Sequence, residues 1–439
     1  MIVYLICYLA SFLFARVQFY YPSGLVLMAA AVWLYVSDYR KSRNLIHLRG
    51  LFSLFWVGGQ GIACLKLSEL QTDWTIVTWI CFALALIGFW GTFEVLSRYF
   101  GDGHDSSFGR RRRFRANPKP IMACMVIVTA LSLSAFLYEA YRLEFIPLLV
   151  RGVPHAYSEF HVTGVHYFTV SCVLVPALSV LYIYARTGNH GSLSLGNWGS
   201  VIVINFVALL IPLLCVSRFQ IIFAVVLAMF VLILLLQDAR ESRMLLFGII
   251  GIAFVLLVAA YLMLSVARSH DVEYLNGIFE MKNRNMPIFI TQPYMYIANN
   301  YENFNCLVEA LPKFSLGIRG LFPLWALTGL KFLVPSLIYY PIYVNKEELT
   351  TLTMFYDSYY DFGIPGVLVF SCALGVVAYV LAIKIKELDN PMGYLVYAQI
   401  AIYLMLSFFT TWFSNPTTWF YLIATGMMAI FYQLLSHWR

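Results

Sequence analysis

Apolar runs about as long as a bilayer is thick recur from one end of this chain to the other. A helix needs about 20 largely apolar residues to cross the hydrocarbon core. Candidate spans fall near residues 2–15, 22–37, 50–66, 75–97, 121–138, 166–185, 199–216, 219–236, 244–266, 363–383, 392–410 and 417–436. Charged residues make up only 12% of the chain and hydrophobic ones 61%, whereas an ordinary soluble domain carries about 25% charged residues. A water-soluble fold could not hide that much apolar surface behind that little charge. The expected fold is therefore an all-α polytopic integral membrane protein of about 12 transmembrane helices, a single transmembrane domain over 1–439. The first run is short, and the second starts after Tyr20-Tyr21-Pro22-Ser23-Gly24, so the pair is expected to form a tight hairpin. The N-terminus has no basic region and no small-residue cleavage site, which predicts a retained first span.

The net charge of +7 is best read by position, as a topology signal. With an inside N-terminus and alternating spans, the short inside segments hold Arg40, Lys41, Arg43, Arg49, Arg98, Arg110 to Arg113, Arg115, Lys119, Arg186, Arg240, Arg243, Lys384, Lys386 and Arg439. These are most of the 29 Lys and Arg. The arrangement predicts both termini in the cytoplasm and the longest loop on the other face. The run Phe108-Gly109-Arg110-Arg111-Arg112-Arg113 lies between two spans on the inner side. It reads as an anchor against the anionic inner leaflet rather than as a nucleic-acid site.

Only one long segment, 267–361, is neither a clean span nor a short connection. It carries Asn, Tyr, Pro and scattered charges, with a half-apolar piece at 320–340. Pro323, Lys331 and Pro335 interrupt that piece, which predicts a re-entrant or surface-lying element rather than a thirteenth crossing. A second outer loop of substance is 139–165. Seven cysteines sit in apolar runs and only Cys306 in the long loop, so neither a disulfide nor a metal framework is expected.

Candidate functional residues concentrate at the outer face. Arg218 sits between two apolar runs and is expected to open a helix. It is either an interfacial anchor that snorkels or an anion hook, since free N–H groups and the helix dipole favour phosphate and guanidinium adds paired donors. Arg268 ends the next span at the same level. Two such groups suit a diphosphate. The 139–165 loop and its edge add Arg142, Glu144, Arg151, His155, Glu159, His161 and His166 as a possible polar cavity wall. Their spacing matches no metal-ligand pattern, so no metal or cofactor is expected. In the long loop, Tyr294, Tyr296, Asn299, Asn300, Tyr301 and Tyr360 are sugar-binding candidates, or amphipathic residues of an interfacial belt. Asp361 precedes an expected helix start. It is either a cap or a group that orients or deprotonates a hydroxyl; Asp357, His161 and Glu144 are further acid–base candidates.

Taken together, Phe145-Ile146-Pro147-Leu148-Leu149-Val150-Arg151-Gly152-Val153-Pro154 before a span, Ser217-Arg218-Phe219-Gln220 opening another, the Tyr/Asn-rich outer loop, and Tyr360-Asp361-Phe362-Gly363-Ile364-Pro365-Gly366 after it resemble the bacterial oligosaccharide repeat-unit polymerases. These are the Wzy-type polymerases of O-antigen and capsule synthesis, relatives of the O-antigen ligases. The resemblance covers about 139–380 and rests on topology more than on identities. It implies a GT-C-like membrane glycosyltransferase at the outer face of the bacterial inner membrane. One unit's terminal hydroxyl would attack C1 of the growing chain, and undecaprenyl diphosphate would leave, with inversion and without a metal. It implies Arg218 and Arg268, with Arg142 and Arg151, at the diphosphate. Arg284 and Arg319 lie in the loop that the family fills with arginines, without an assignable role. The implied partners are the undecaprenyl-diphosphate-linked oligosaccharide, membrane lipids, a chain-length regulator and a flippase, and no nucleic acid. A ligase using the same carrier is the near alternative. A flippase or transporter would call for a charged path through the spans and an internal repeat, and neither is visible. A non-catalytic assembly protein would need no clustered outer arginines.

Overall fold

A computed structural model describes residues 1–103, 116–150, 156–190, 194–238, 272–338, 340–385 and 388–437. The described residues form helices and connections, with one isolated bridge between Ser68 and Met281 and no named strand. Eight helices among them are long and apolar enough to cross a membrane: Tyr20–Ser42, Ile76–Phe100, Pro118–Leu143, His166–Gly188, Leu195–Leu214, Arg218–Leu236, Tyr356–Lys384 and Pro416–Ser436. The protein is an all-α polytopic membrane protein. Three further expected spans are helices of shorter length, Ile2–Arg16, Leu48–Ala63 and Met392–Met405. The one expected at 244–266 lies outside the described residues, as does the arginine run up to Arg115.

Contacts group the chain into two compact units. The first comprises Met1–Ser106, Asp271–Lys384 and Tyr403–Trp419. Its core is aromatic: Phe52 stacks on Trp56, and Trp56, Phe82, Tyr301 and Phe355 meet edge to face or tilted, with ring centroids 4.8–6.1 Å apart, for instance Trp56 against Tyr301 and Phe355. Ile76–Phe100 packs along Tyr356–Lys384. The approach is so close at Gly375 that a Cβ there would lie 2.6 Å from the Phe89 carbonyl oxygen. Ser371 seals the same contact by donating to the Ala85 carbonyl at 2.6 Å.

Arg49, counted above among the inside charges, is almost wholly buried in this unit. Its guanidinium donates to both carboxylate oxygens of Asp38 and, at 2.8 Å, to Glu94, and lies 4.1 Å over the Trp90 ring. It ties three helices together and is neutralised on the spot, so it contributes little as a leaflet anchor.

The second unit comprises Ser107–His270, Ile385–Ile402 and Phe420–Arg439. Hydroxyls and amides fasten its apolar helices: Ser132 donates to the Phe168 carbonyl at 2.7 Å, Asn205 to Ser179 at 2.6 Å, and Tyr421 to the Val170 carbonyl at 3.1 Å. With no water in the hydrocarbon, each buried polar group must find a protein partner.

The long segment is largely structured. Ile288–Ala310 is a 23-residue helix. It is not a span by composition, and Asn299, Asn300, Glu302, Asn303 and Asn305 on it are buried. Lys66 donates to Glu302 at 3.0 Å, and Thr72 and Trp74 from the same turn donate to it as well. Cys306 is therefore helical and not in a loop. The 320–340 piece consists of two short helices, Phe322–Leu327 and Leu330–Leu333, and a 3-10 turn at Pro335–Leu337. None is long enough to cross.

Candidate functional site

The site begins with a broken helix. Tyr356–Lys384 has a non-helical residue inside it, Gly363, at φ 64 and ψ −146. A positive φ suits glycine, which has no Cβ to clash. Pro365 follows, and proline disfavours the helical conformation in the residue before it. The break sets apart a short piece, 356–362, in which Asp357, Tyr360 and Asp361 share a face because residues three and four apart are neighbours on a helix.

That face grips the turn at 315–320. The Asp361 carboxylate accepts from the Ser315 hydroxyl, from the Arg319 backbone N–H at 3.1 Å and from the Gly320 N–H at 2.7 Å. The Ser315 and Leu316 N–H groups donate to the carbonyls of Tyr360 and Asp361, each at 3.1 Å. With its backbone fixed, Arg319 sends Nε to Asp357 Oδ1 at 2.7 Å. Its guanidinium carbon lies 4.6 Å from the Tyr360 ring centroid and 5.6 Å from that of Tyr356. Burial alone would lower the Arg319 pKa. The adjoining carboxylate outweighs that and leaves it above the ordinary arginine value. The two Nη nitrogens form no hydrogen bond with the described residues, so a fixed, fully charged guanidinium keeps donors to spare.

Arg319 and Asp357 line a cavity of about 500 Å³. Its lining is mixed: the hydroxyls and amide of Thr350, Thr351, Thr410, Thr411, Ser414 and Asn415 occur with apolar Phe322, Leu337, Ile338, Ile342, Leu352 and Pro416. The 343–352 stretch is hung from the Ile288–Ala310 helix. Asn303 Nδ2 donates to the carbonyls of Leu349 at 2.7 Å and Thr351 at 2.8 Å, and Asn299 Oδ1 accepts from Asn345 Nδ2 at 2.8 Å. Asn300 Nδ2 donates to the Phe408 carbonyl at 2.8 Å, and its Oδ1 accepts from the Thr351 hydroxyl.

These bonds show what the residues do in the fold. The buried Asp361 carboxylate holds the 315–320 turn in place of capping its own helix. Asn299, Asn300, Tyr294 and Tyr301 are buried supports. The Tyr294 hydroxyl donates to Gln71 at 2.6 Å and accepts from the Leu67 N–H at 2.9 Å, while Tyr301 donates to the Trp56 carbonyl at 2.7 Å. Tyr296 packs against Phe409, and Tyr360 is the platform under Arg319. Arg319, without an assignable role in the sequence, is paired here with Asp357, an acid–base candidate there. The readable signal was the four-residue step from Asp357 to Asp361, two carboxylates on one face facing a loop with an arginine.

In the second unit, Arg142 and Glu144 are exposed at the end of Pro118–Leu143 and line an open groove of about 680 Å³. His161 is exposed, its ring centroid 6.4 Å from that of His166. Behind His166 is a residue the sequence gave no reason to choose, Glu139, fully buried. It accepts from the Val162 N–H at 2.8 Å and the Thr169 hydroxyl at 2.7 Å, and sits 3.2 Å from His166 Nδ1. Arg218 opens its helix as expected. It is buried rather than presented at an open rim, and lines neither of these two cavities. Arg151, Arg268 and His155 lie outside the described residues. Among the described residues no group of three His, Cys, Asp or Glu is placed to hold a metal ion. Comparison of the chain with protein-family models, with curated proteins and with solved structures found no match in any of the three.

Proposed function

We propose that the protein is a membrane glycosyltransferase that polymerises undecaprenyl-diphosphate-linked oligosaccharide units, and that the Arg319 cavity receives the diphosphate and the first sugar of the donor. The observation that carries this reading is the cavity's mixed lining: a guanidinium with uncommitted Nη donors, several hydroxyls and several large apolar side chains. A ligand that is anionic, hydroxyl-rich and lipid-tailed has a partner for each part there, and a lipid-linked phospho-sugar is such a ligand.

In this reading the acceptor hydroxyl oxygen bonds to C1 of the donor sugar while the C1–O bond to the diphosphate breaks. Negative charge grows on the leaving oxygen, and a cation already oriented there stabilises it without reorganising. Asp357 and Tyr360 hold the guanidinium in place before substrate arrives. The proposed setting is the outer face of a bacterial inner membrane, with both termini in the cytoplasm.

Purified protein in lipid nanodiscs, given a synthetic undecaprenyl-diphosphate oligosaccharide, is expected to yield a ladder of longer glycans. Arg319→Ala is expected to lower the rate by about 100-fold or more, the scale of losing a charge-stabilising donor. Absence of any ladder from the wild-type protein refutes the function. An unimpaired Arg319→Ala refutes the site.

A further inference from the structure

Depth in the membrane is set by the broken helix. From Ile364 to Lys384 the continuous part runs about 30 Å at 1.5 Å per residue, which is the thickness of the hydrocarbon core. That length fits a hydrocarbon boundary at Gly363, with the piece bearing Asp357 and Asp361 just outside it.

The described residues of 314–338 and 340–342 are fastened to Gly363 and its neighbours. The Phe314 ring packs so tightly on Gly363 that a Cβ there would lie 2.9 Å from it, and Phe362 packs on Gly317. Yet this segment exposes Leu316 (71%), Leu324 (50%), Phe332 (64%) and Leu333 (79%). Its helices are too short to span, and water is a poor neighbour for so many large apolar groups in one stretch. The same apolar surface continues down the spanning helix through Phe362 and Val369, both largely exposed. Lys331 places its Nζ 5.1 Å from the Phe332 ring and 5.8 Å from the Phe322 ring, the apolar-stem, polar-tip arrangement of interfacial lysines. Ile338 and Ile342 belong to this segment, are about half exposed, and line the cavity.

We propose that 314–342 is an interfacial strap seated in the headgroup–acyl boundary of the bilayer, and that the cavity behind it opens sideways past Ile338 and Ile342. The cavity then draws a phosphate-bearing lipid from the leaflet and not a soluble sugar phosphate from water. The second half rests on the proposed function; the first does not.

The test uses full-length protein in nanodiscs, with Cys7, Cys306 and Cys372 changed to Ser and single nitroxide labels at Leu316→Cys, Leu333→Cys, Ile342→Cys, Val369→Cys and Asn283→Cys. Power saturation is read with oxygen, which partitions into lipid, and with a water-soluble nickel chelate. The labels at 316 and 333 are expected to favour oxygen, at shallower depth than 369, whereas 283 favours nickel. Labels at 316 and 333 that match 283 overturn the strap. In the second arm, undecaprenyl diphosphate in the disc is expected to immobilise the label at 342 and inorganic pyrophosphate in the buffer to leave it mobile. Equal immobilisation by both, or by neither, overturns the sideways opening. A lipid-seated strap without a glycan ladder removes the polymerase reading alone, and a ladder with a water-exposed strap removes the strap alone.

Discussion

Glu302 offers the sharpest test of how the first unit is held. Its carboxylate has no exposure, and four donors converge on it: Thr72 N–H at 2.7 Å and Thr72 Oγ1 at 2.8 Å on Oε1, Trp74 Nε1 at 2.9 Å and Lys66 Nζ at 3.0 Å on Oε2. Glu302→Gln keeps the shape and loses the charge. Whichever way the amide turns, its NH₂ faces two donors, so two partners lose their acceptor and Lys66 keeps a buried, uncompensated charge. Breaking one side of a buried pair costs about 3–5 kcal/mol, and we expect that loss. Lys66→Met should cost less, because three neutral donors still serve Glu302. In the double variant no stranded charge remains, so its destabilisation should fall short of the sum of the singles by about 1–3 kcal/mol. Denaturant unfolding in detergent, followed by tryptophan fluorescence, measures all three. Because the same helix suspends 343–352, hydrogen exchange there should rise in Glu302→Gln. A Glu302→Gln protein within about 0.5 kcal/mol of wild type, or strictly additive singles, refutes the reasoning.

Asp361→Ala strands the Ser315, Arg319 and Gly320 donors, each worth about 1–3 kcal/mol when buried unpaired. We expect faster proteolysis at 315–320 and loss of glycan synthesis together; a protected turn with full activity contradicts the placement of Arg319. Arg319→Lys keeps the charge but loses the fork, and a point charge cannot bond Asp357 and a phosphate in the same geometry. It should retain binding of the carrier lipid while turning over at least 10-fold more slowly. Gly375→Val forces atoms into the Phe89 backbone and should cost about 1–3 kcal/mol of stability in a detergent melt, with no change if the two helices are not in contact.

Spans such as Ile76–Phe100 and Arg218–Leu236 were legible because crossing a bilayer depends on apolar length, which sequence displays directly. Ile288–Ala310 was not. Its Tyr, Asn and Glu read as a water-facing loop, since the partners that satisfy them come from 64–75 and 343–353, remote in sequence. Arg49 misled for a related reason: the positive-charge rule counts a residue by position, and only the fold reveals Asp38 and Glu94 around it. At the site, Asp361 was singled out, but the 315–320 turn that it holds lies too far off in sequence to be read from its neighbours. Arg319 was seen without its Asp357 partner because a separation of 38 positions leaves no local signal of the pairing. The buried Glu139 behind His166 was hidden at the edge of the 139–165 loop, where no local pattern shows Val162, His166 and Thr169 converging on it.

Asn303 grasps main-chain oxygens of Leu349 and Thr351, a hold indifferent to the side chains at those positions. Neighbouring side chains are tied down: Asn345 to Asn299, Lys346 to Glu280 and the Thr351 hydroxyl to Asn300. Thr350 and Leu352 line the cavity between these ties. Substitution at those two positions can therefore remodel what the chamber accepts while its outline stays put.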